Sequence, residues 1–221
     1  MKKFILIMSA LALLSLSFSQ DVNAKQTRRD GKWESGFKLL SSSSTDIDGE
    51  LGSSIDFDSD IGWGFSLGYN LNPHILINYE FTSITPKYEA TLVDGDSGDS
   101  YSLKNKMDLY NSQFNVVYNF STEQFTPFVQ AGLGWSYLDS NVADGPPGAV
   151  CWWDPWWGYI CDGYQSTYDD TRFSYNVAAG VRYELDNSVF FRASYQQNWT
   201  DLSNSNDLSL GVFHIEIGSI F

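Results

Sequence analysis

The chain has 221 residues, 27 acidic and 13 basic, giving a formal charge of −14 and an isoelectric point near 4.3. So acidic a chain is a poor partner for nucleic acid, which needs clustered Lys and Arg, and two Cys with two His cannot furnish a four-ligand structural zinc site. At 16% aromatic and 18% charged it is too apolar for disorder, and its aromatic, Gly-rich and Ser-rich makeup favours β structure.

The amino terminus reads as a secretory signal peptide over residues 1–24. Met1-Lys2-Lys3 is positive, Phe4 to Leu14 is apolar apart from Ser9, and Val22 and Ala24 stand at −3 and −1 of a cleavage site before Lys25. No Cys lies near that site, which argues against lipoprotein processing. The apolar run is too short to span a bilayer, and no later run reaches the length of a membrane helix. The mature chain 25–221 is expected to be a single domain that is either exported and soluble or crosses a membrane as strands.

Period-2 alternation decides between those two. A first strand is expected near Trp33 to Leu40. Ile61, Trp63, Phe65, Leu67, Tyr69 and Leu71 alternate with Gly, Ser and Asn, and Asn72-Pro73 makes a tight turn. Ile75, Ile77, Tyr79 and Phe81 follow, with Leu76 the exception to the pattern. Five further strands come from Tyr110 to Phe120, Val129 to Tyr137, Phe173 to Leu185, Val189 to Tyr195 and Phe213 to Phe221. Leu208 and Leu210 stand in opposite phase to Phe213, Ile215 and Ile217, which a bulge near Gly211-Val212 or a strand rising above the bilayer would reconcile.

The connections alternate short (71–73, 121–124, 186–187) and long (41–60, 86–106, 139–170, 198–207). That is the pattern of bacterial outer-membrane barrels. Aromatic residues gather at both strand ends. Trp33, Tyr69, Tyr118, Phe120, Phe128, Tyr183, Phe190 and Phe221 lie near the short turns, and Trp63, Phe81, Tyr110, Trp135, Tyr137, Phe173, Tyr175, Tyr195 and Trp199 near the long loops, as two interfacial girdles. The fold expected is all-β, an eight-stranded antiparallel up-and-down transmembrane barrel.

Trp33-Glu34-Ser35-Gly36-Phe37, Thr126-Pro127-Phe128-Val129-Gln130-Ala131-Gly132-Leu133-Gly134 and Ala179-Gly180-Val181-Arg182-Tyr183-Glu184-Leu185 resemble the small eight-stranded outer-membrane barrels: the OmpA transmembrane domain, OmpX, OmpW and the opacity-type proteins. The resemblance runs over 33–221 and implies residence in the outer membrane of a Gram-negative bacterium. Phe221, with apolar residues at alternate positions before it, is similar to the signal such proteins present to the barrel-assembly machinery. Ser219 stands where a large apolar residue is usual.

A barrel of eight strands is just wide enough for its own side chains. The residues expected inside include Lys38, Glu80, Gln113, Gln130, Arg182, Glu184, Arg192, His214 and Glu216. Charge there must be paired, and Glu80, Arg182, Glu184, Arg192 and Glu216 supply both signs for an ion-pair network. It serves either as a plug or as the lining of a narrow pore.

Cys151 and Cys161 bracket nine residues of the third long loop, and in an exported protein they most simply form a disulfide. Between them lie Trp152, Trp153, Trp156, Trp157 and Tyr159, rigid aromatic surface of the kind used at binding sites. The alternative is a loop that packs on the barrel rim or dips into outer-leaflet lipid. Eighteen of the 27 acids fall in the four long loops, which suits divalent cations bridging to lipopolysaccharide, or basic ligands.

His74 and His214 fall at different depths, which disfavours a shared metal site, and neither sits with a Ser at the outer rim, as a lipid-modifying enzyme would need. The function expected is that of an integral outer-membrane barrel with a side-chain-filled lumen and a structural or surface-interaction role through its acidic and aromatic loops. The alternative is an OmpW-like narrow channel for small or apolar solutes. The expected partners are outer-membrane lipid, lipopolysaccharide, the assembly machinery and an extracellular ligand at loop three. No enzyme activity, metal or cofactor is expected, and the protein is expected to be a monomer.

Overall fold

A strand whose side chains alternate in polarity has two unlike faces, and closing eight such strands on themselves gives every one of them an inside and an outside. The structure, a computed structural model, describes residues 29–48, 54–93, 100–143, 148–164, 167–185, 188–201 and 208–221. The expected signal peptide and its Ala24–Lys25 junction lie outside the described residues.

Strand β1 (Trp33–Ser42) rises from the end with short turns, and β2 (Thr45–Asp48) and β3 (Ser54–Phe57) follow at the end with long connections. β4 (Ile61–Asn70) descends and β5 (Ile75–Ile84) rises again. β6 (Lys87–Val93) and β7 (Ser100–Lys106) make the next excursion before β8 (Asp108–Asn119) descends. β9 (Phe125–Ala143) leads into the hairpin of β10 (Gly148–Asp154) and β11 (Gly158–Tyr164), and β12 (Thr167–Glu184) returns from it. β13 (Val189–Thr200) and β14 (Leu208–Ile220) complete the chain. β1, β4, β5, β8, β9, β12, β13 and β14 form one closed antiparallel barrel, each beside the next, and β14 pairs back on β1 from Glu34↔Ile220 to Ser42↔Val212.

Polarity is inverted relative to a water-soluble protein. Among the described residues 26 polar and 16 apolar side chains are buried, while Phe37, Leu39, Phe65, Leu133, Val177, Ile215 and Ile217 face outward. An apolar exterior around a polar interior is stable only where lipid replaces water outside. Two rows of outward rings bracket that belt, with contacts such as Trp33–Tyr69 at 5.2 Å at the short-turn end and Tyr175–Trp199 at 5.2 Å at the other. Phe128 and Phe190 do not belong to the lower row, contrary to the sequence expectation. They are 3% and 0% exposed on the inner face, in phase with Gln130 and Arg192.

The inner face leaves room for long side chains by placing glycine beside them. Gly64 pairs with Lys38, Gly68 with Glu34, and Gly132 with both Asn115 and Asn176. A Cβ on Gly36 would strike the Glu216 carboxylate, and one on Gly132 the Asn115 amide.

The long connections are largely strands. β2, β3, β6 and β7 form a four-stranded sheet. Its inner face buries Phe57, Tyr88 and Ala90 with Met107 and Leu208 against Leu138, so it covers the barrel mouth. Tyr88 Oη donates to the Ser140 carbonyl and the Asn105 amide to the Asn141 carbonyl, tying the sheet to β9. β14 has no bulge: its ladder with β13 runs unbroken from Val189↔Ser219 to Thr200↔Leu208. Leu208 and Leu210 face inward because the lumen itself turns apolar at that height, so the phase never changes.

Candidate functional site

Read upward along β5, the lumen changes character: Leu76, Asn78, Glu80, Thr82 and Ile84 all point inward. Towards the short-turn end Leu76, Val117 and Phe128 form a small apolar cluster. Beside this cluster, and starting nearer the short turns, runs a chain of alternating charge. Arg29 reaches Glu184 at 3.1 Å, and Glu184 accepts from Arg182 Nε at 2.7 Å. Arg182 Nη1 donates to Glu34 at 2.9 Å, and Glu34 also accepts from Arg192. Arg192 meets Glu216 at 3.4 Å, Glu216 lies 3.7 Å from Lys38, and Lys38 is bonded to Glu80. Four bases and four acids thus alternate in one neutral chain, which ends where His214 Nδ1 lies 3.7 Å from Glu80.

Cross-strand register places Arg182 directly opposite Arg192. Two features offset the repulsion. Glu34 bridges both guanidinium groups, and the Phe190 ring lies against both, 4.2 Å from one and 4.5 Å from the other. Asn70 donates to Glu34 at 3.1 Å and Ser66 to Glu216 at 2.6 Å, filling carboxylate positions left over by the ion pairs.

Amides take over above the charges. Gln130 donates to Glu80 and to Gln196, Gln196 to Gln113 and Asn198, and Asn176 to Gln113 and Asn115. Higher still, Leu40, Ile84, Leu109, Leu210 and Val212 pack with Leu138 across the bore, directly beneath the four-stranded sheet. A solute entering from the short-turn end therefore meets an ion-pair layer with the small apolar cluster beside it, then an amide layer, an apolar layer and a lid.

Loop three projects from β9 and β12, which stay paired from Tyr183↔Phe125 up to Thr167↔Ala143, with one irregularity near Thr167. Among the described residues β10 and β11 pair only with each other, and Cys151 and Cys161 are opposite in register and bonded. Asp154 Oδ1 accepts from the backbone N–H of Trp156 at 2.8 Å and of Trp157 at 3.0 Å, and Gly158, at φ +77°, closes the turn. Trp153, Trp156, Trp157 and Tyr159 are exposed rather than packed on the rim. Trp152 pairs with Ile160 through the backbone, and its side chain lies outside the described residues.

The outer face of the lid carries a groove of about 360 Å³ where Asp56, Asp58 and Glu89 interleave with Lys87, Lys104 and Lys106. Glu89 and Lys104 pair there at 3.0 Å. Among the described residues no group of three or more His, Cys, Asp or Glu is arranged to hold a metal. His74 sits in the turn before β5, its Nδ1 2.8 Å from the Asn119 carbonyl, on a different level from His214.

The structure brings Glu80, Arg182, Glu184, Arg192 and Glu216 together, along with Lys38 and His214. Sequence reasoning missed Glu34, which shares the phase of Lys38 on β1. It also missed Arg29, which precedes any strand and has no periodicity to betray it, and Phe190, whose aromatic nature outweighed its phase.

Comparison with known proteins agrees with this architecture. The chain is similar to Neisserial surface protein A, with 18% identity, a TM-score of 0.54, and coverage of 87% of this chain and 98% of that one. It is similar to OprG from Pseudomonas aeruginosa at 13% identity and a TM-score of 0.52, covering 87% and 97%. It is also similar to Ail of Yersinia pestis, solved with the heparin analogue sucrose octasulfate, at 13% identity and a TM-score of 0.51, covering 87% and 99%. These likenesses show the fold. No curated protein matches the sequence. The model of the outer membrane protein beta-barrel domain matches residues 9–221. With that match over nearly its whole length, the chain belongs to the outer-membrane β-barrel family and is a protein of the bacterial outer membrane.

Proposed function

We propose that this protein is a non-conducting outer-membrane barrel that acts at the cell surface through its extracellular strands, with no enzymatic role. The observation that carries the reading is the stack of barriers in the lumen: a neutral chain of eight buried charged groups beside the Leu76 cluster, with the Leu40–Val212 layer above it. A channel would need those barriers removed together, and the distinctive exposed features lie instead in the disulfide-closed hairpin and the charged outer face of the lid. Outer-membrane lipid contacts the apolar belt. Phe221, exposed at the end of β14 and bonded by its N–H to the Trp33 carbonyl, is positioned to be read by the assembly machinery, and the protein works as a monomer. Ail was solved with an anionic heparin analogue, but the acidic loops here suit a ligand of opposite charge.

Liposome swelling tests the reading. The refolded chain should pass neither small sugars nor amino acids, and a Leu210→Ser/Val212→Ser variant, which breaks one layer, should stay tight. Rapid wild-type flux would make the protein a channel.

A further inference from the structure

Aromatic rings exposed on the protein surface represent burial not yet made, and the charge around them selects what can make it. Trp153, Trp156, Trp157 and Tyr159 are 73, 87, 78 and 69% exposed. Their hairpin is fixed in advance by its ladder from Gly148↔Tyr164 to Asp154↔Gly158, by the Cys151–Cys161 bond and by the Asp154 cap on the turn. An isolated two-stranded hairpin is marginal in water without such staples, and a surface ordered before binding loses little entropy when it binds.

The chemistry of the partner follows from the surroundings. Between Lys106 and Arg172 the sequence has no Lys or Arg, and from Asp139 to Asp170 it carries six Asp. Sulfated glycans, nucleic acid and anionic membranes are repelled by such a field. A second copy docking tip to tip would bring Asp154 towards its own counterpart. Cations are attracted, and the faces of Trp and Tyr rings favour them further.

We propose that the β10–β11 hairpin is a docking surface for a cationic polypeptide segment, one that lays Arg or Lys side chains over Trp153, Trp156, Trp157 and Tyr159. This deepens the surface-interaction reading above and rests on it.

The test uses the refolded full chain in detergent micelles, with a gel shift between unboiled and boiled samples as the check that the barrel is folded. Fluorescein-labelled hexa-arginine amide is titrated at physiological salt and followed by anisotropy. Saturable binding is expected, weakened about tenfold or more in Trp156→Ser/Trp157→Ser. In Asp56→Asn/Asp58→Asn, which removes lid charge but leaves the hairpin intact, the change should stay within about twofold. Equal losses in the two variants would reduce the effect to bulk charge and overturn the proposal. So would absence of wild-type binding, no loss in the Trp variant, or Trp-dependent capture by phosphatidylcholine vesicles in place of the peptide. Solute flux is read separately, so a leaking barrel would overturn the closed-lumen reading while leaving the peptide result intact.

Discussion

Arg182 and Arg192 face each other across two neighbouring strands inside a narrow lumen, an arrangement that holds only while Glu34 stands between them. Buried ion pairs add little net stability, but removing one partner strands the other. Arg192→Ala leaves four buried acids facing three bases and should therefore cost about 3–5 kcal/mol in urea unfolding of the micelle-bound barrel, and the joint change Lys38→Met/Glu80→Gln should cost less, because it removes one charge of each sign and keeps the chain neutral. Equal costs would contradict the account. Gly36→Ala pushes a methyl group into the Glu216 carboxylate and should destabilise by about 1–3 kcal/mol by the same measurement. At this scale the sequence was legible where a charged residue stood in phase with other inward residues, as Arg182, Arg192 and Glu216 do. It was misleading where residue type outweighed phase: Phe128 and Phe190 read as girdle rings, although Gln130 and Arg192 two residues later set their direction.

The eight membrane strands were readable because each carries a mostly apolar outward row against a mostly polar inward one, so alternation is long and regular. The lid was not, because β2 and β3 have four residues each and their pairing is decided by what Phe57, Tyr88 and Met107 find to bury against. Phe57→Ala should remove about 3–5 kcal/mol of packing from the lid alone. Hydrogen exchange should then quicken in β3 and β6 while β9 and β12 stay protected; uniform quickening would mean lid and barrel form one cooperative unit. The β6–β7 pair carries a pH-dependent link. The Ser102 hydroxyl donates to Glu89 at 2.6 Å and Lys104 lies 3.0 Å away, together holding that carboxyl below its ordinary range. A lowered folded-state pKa adds stability that is present above the unfolded value and is lost as pH falls through the folded one. The Glu89 carboxyl resonance should accordingly titrate at lower pH than in an unfolded peptide, and an unshifted midpoint would show that the link does not hold in solution.

As a whole the molecule is a protein turned inside out, and its stability and the proposed closure of its lumen have one cause. Side chains that fix the register of the barrel also fill it: charged groups low down, amides above them, and Leu and Val under the lid. Barriers in series mean that no single substitution opens a path, so Arg182→Ala and Arg192→Ala should lose stability without gaining flux. Conductance of the refolded chain in planar lipid bilayers is the measurement that bears on this most directly. The account predicts no current steps from the wild-type barrel or from either Arg variant at moderate voltage. Steady, ohmic steps from the wild-type protein would contradict it.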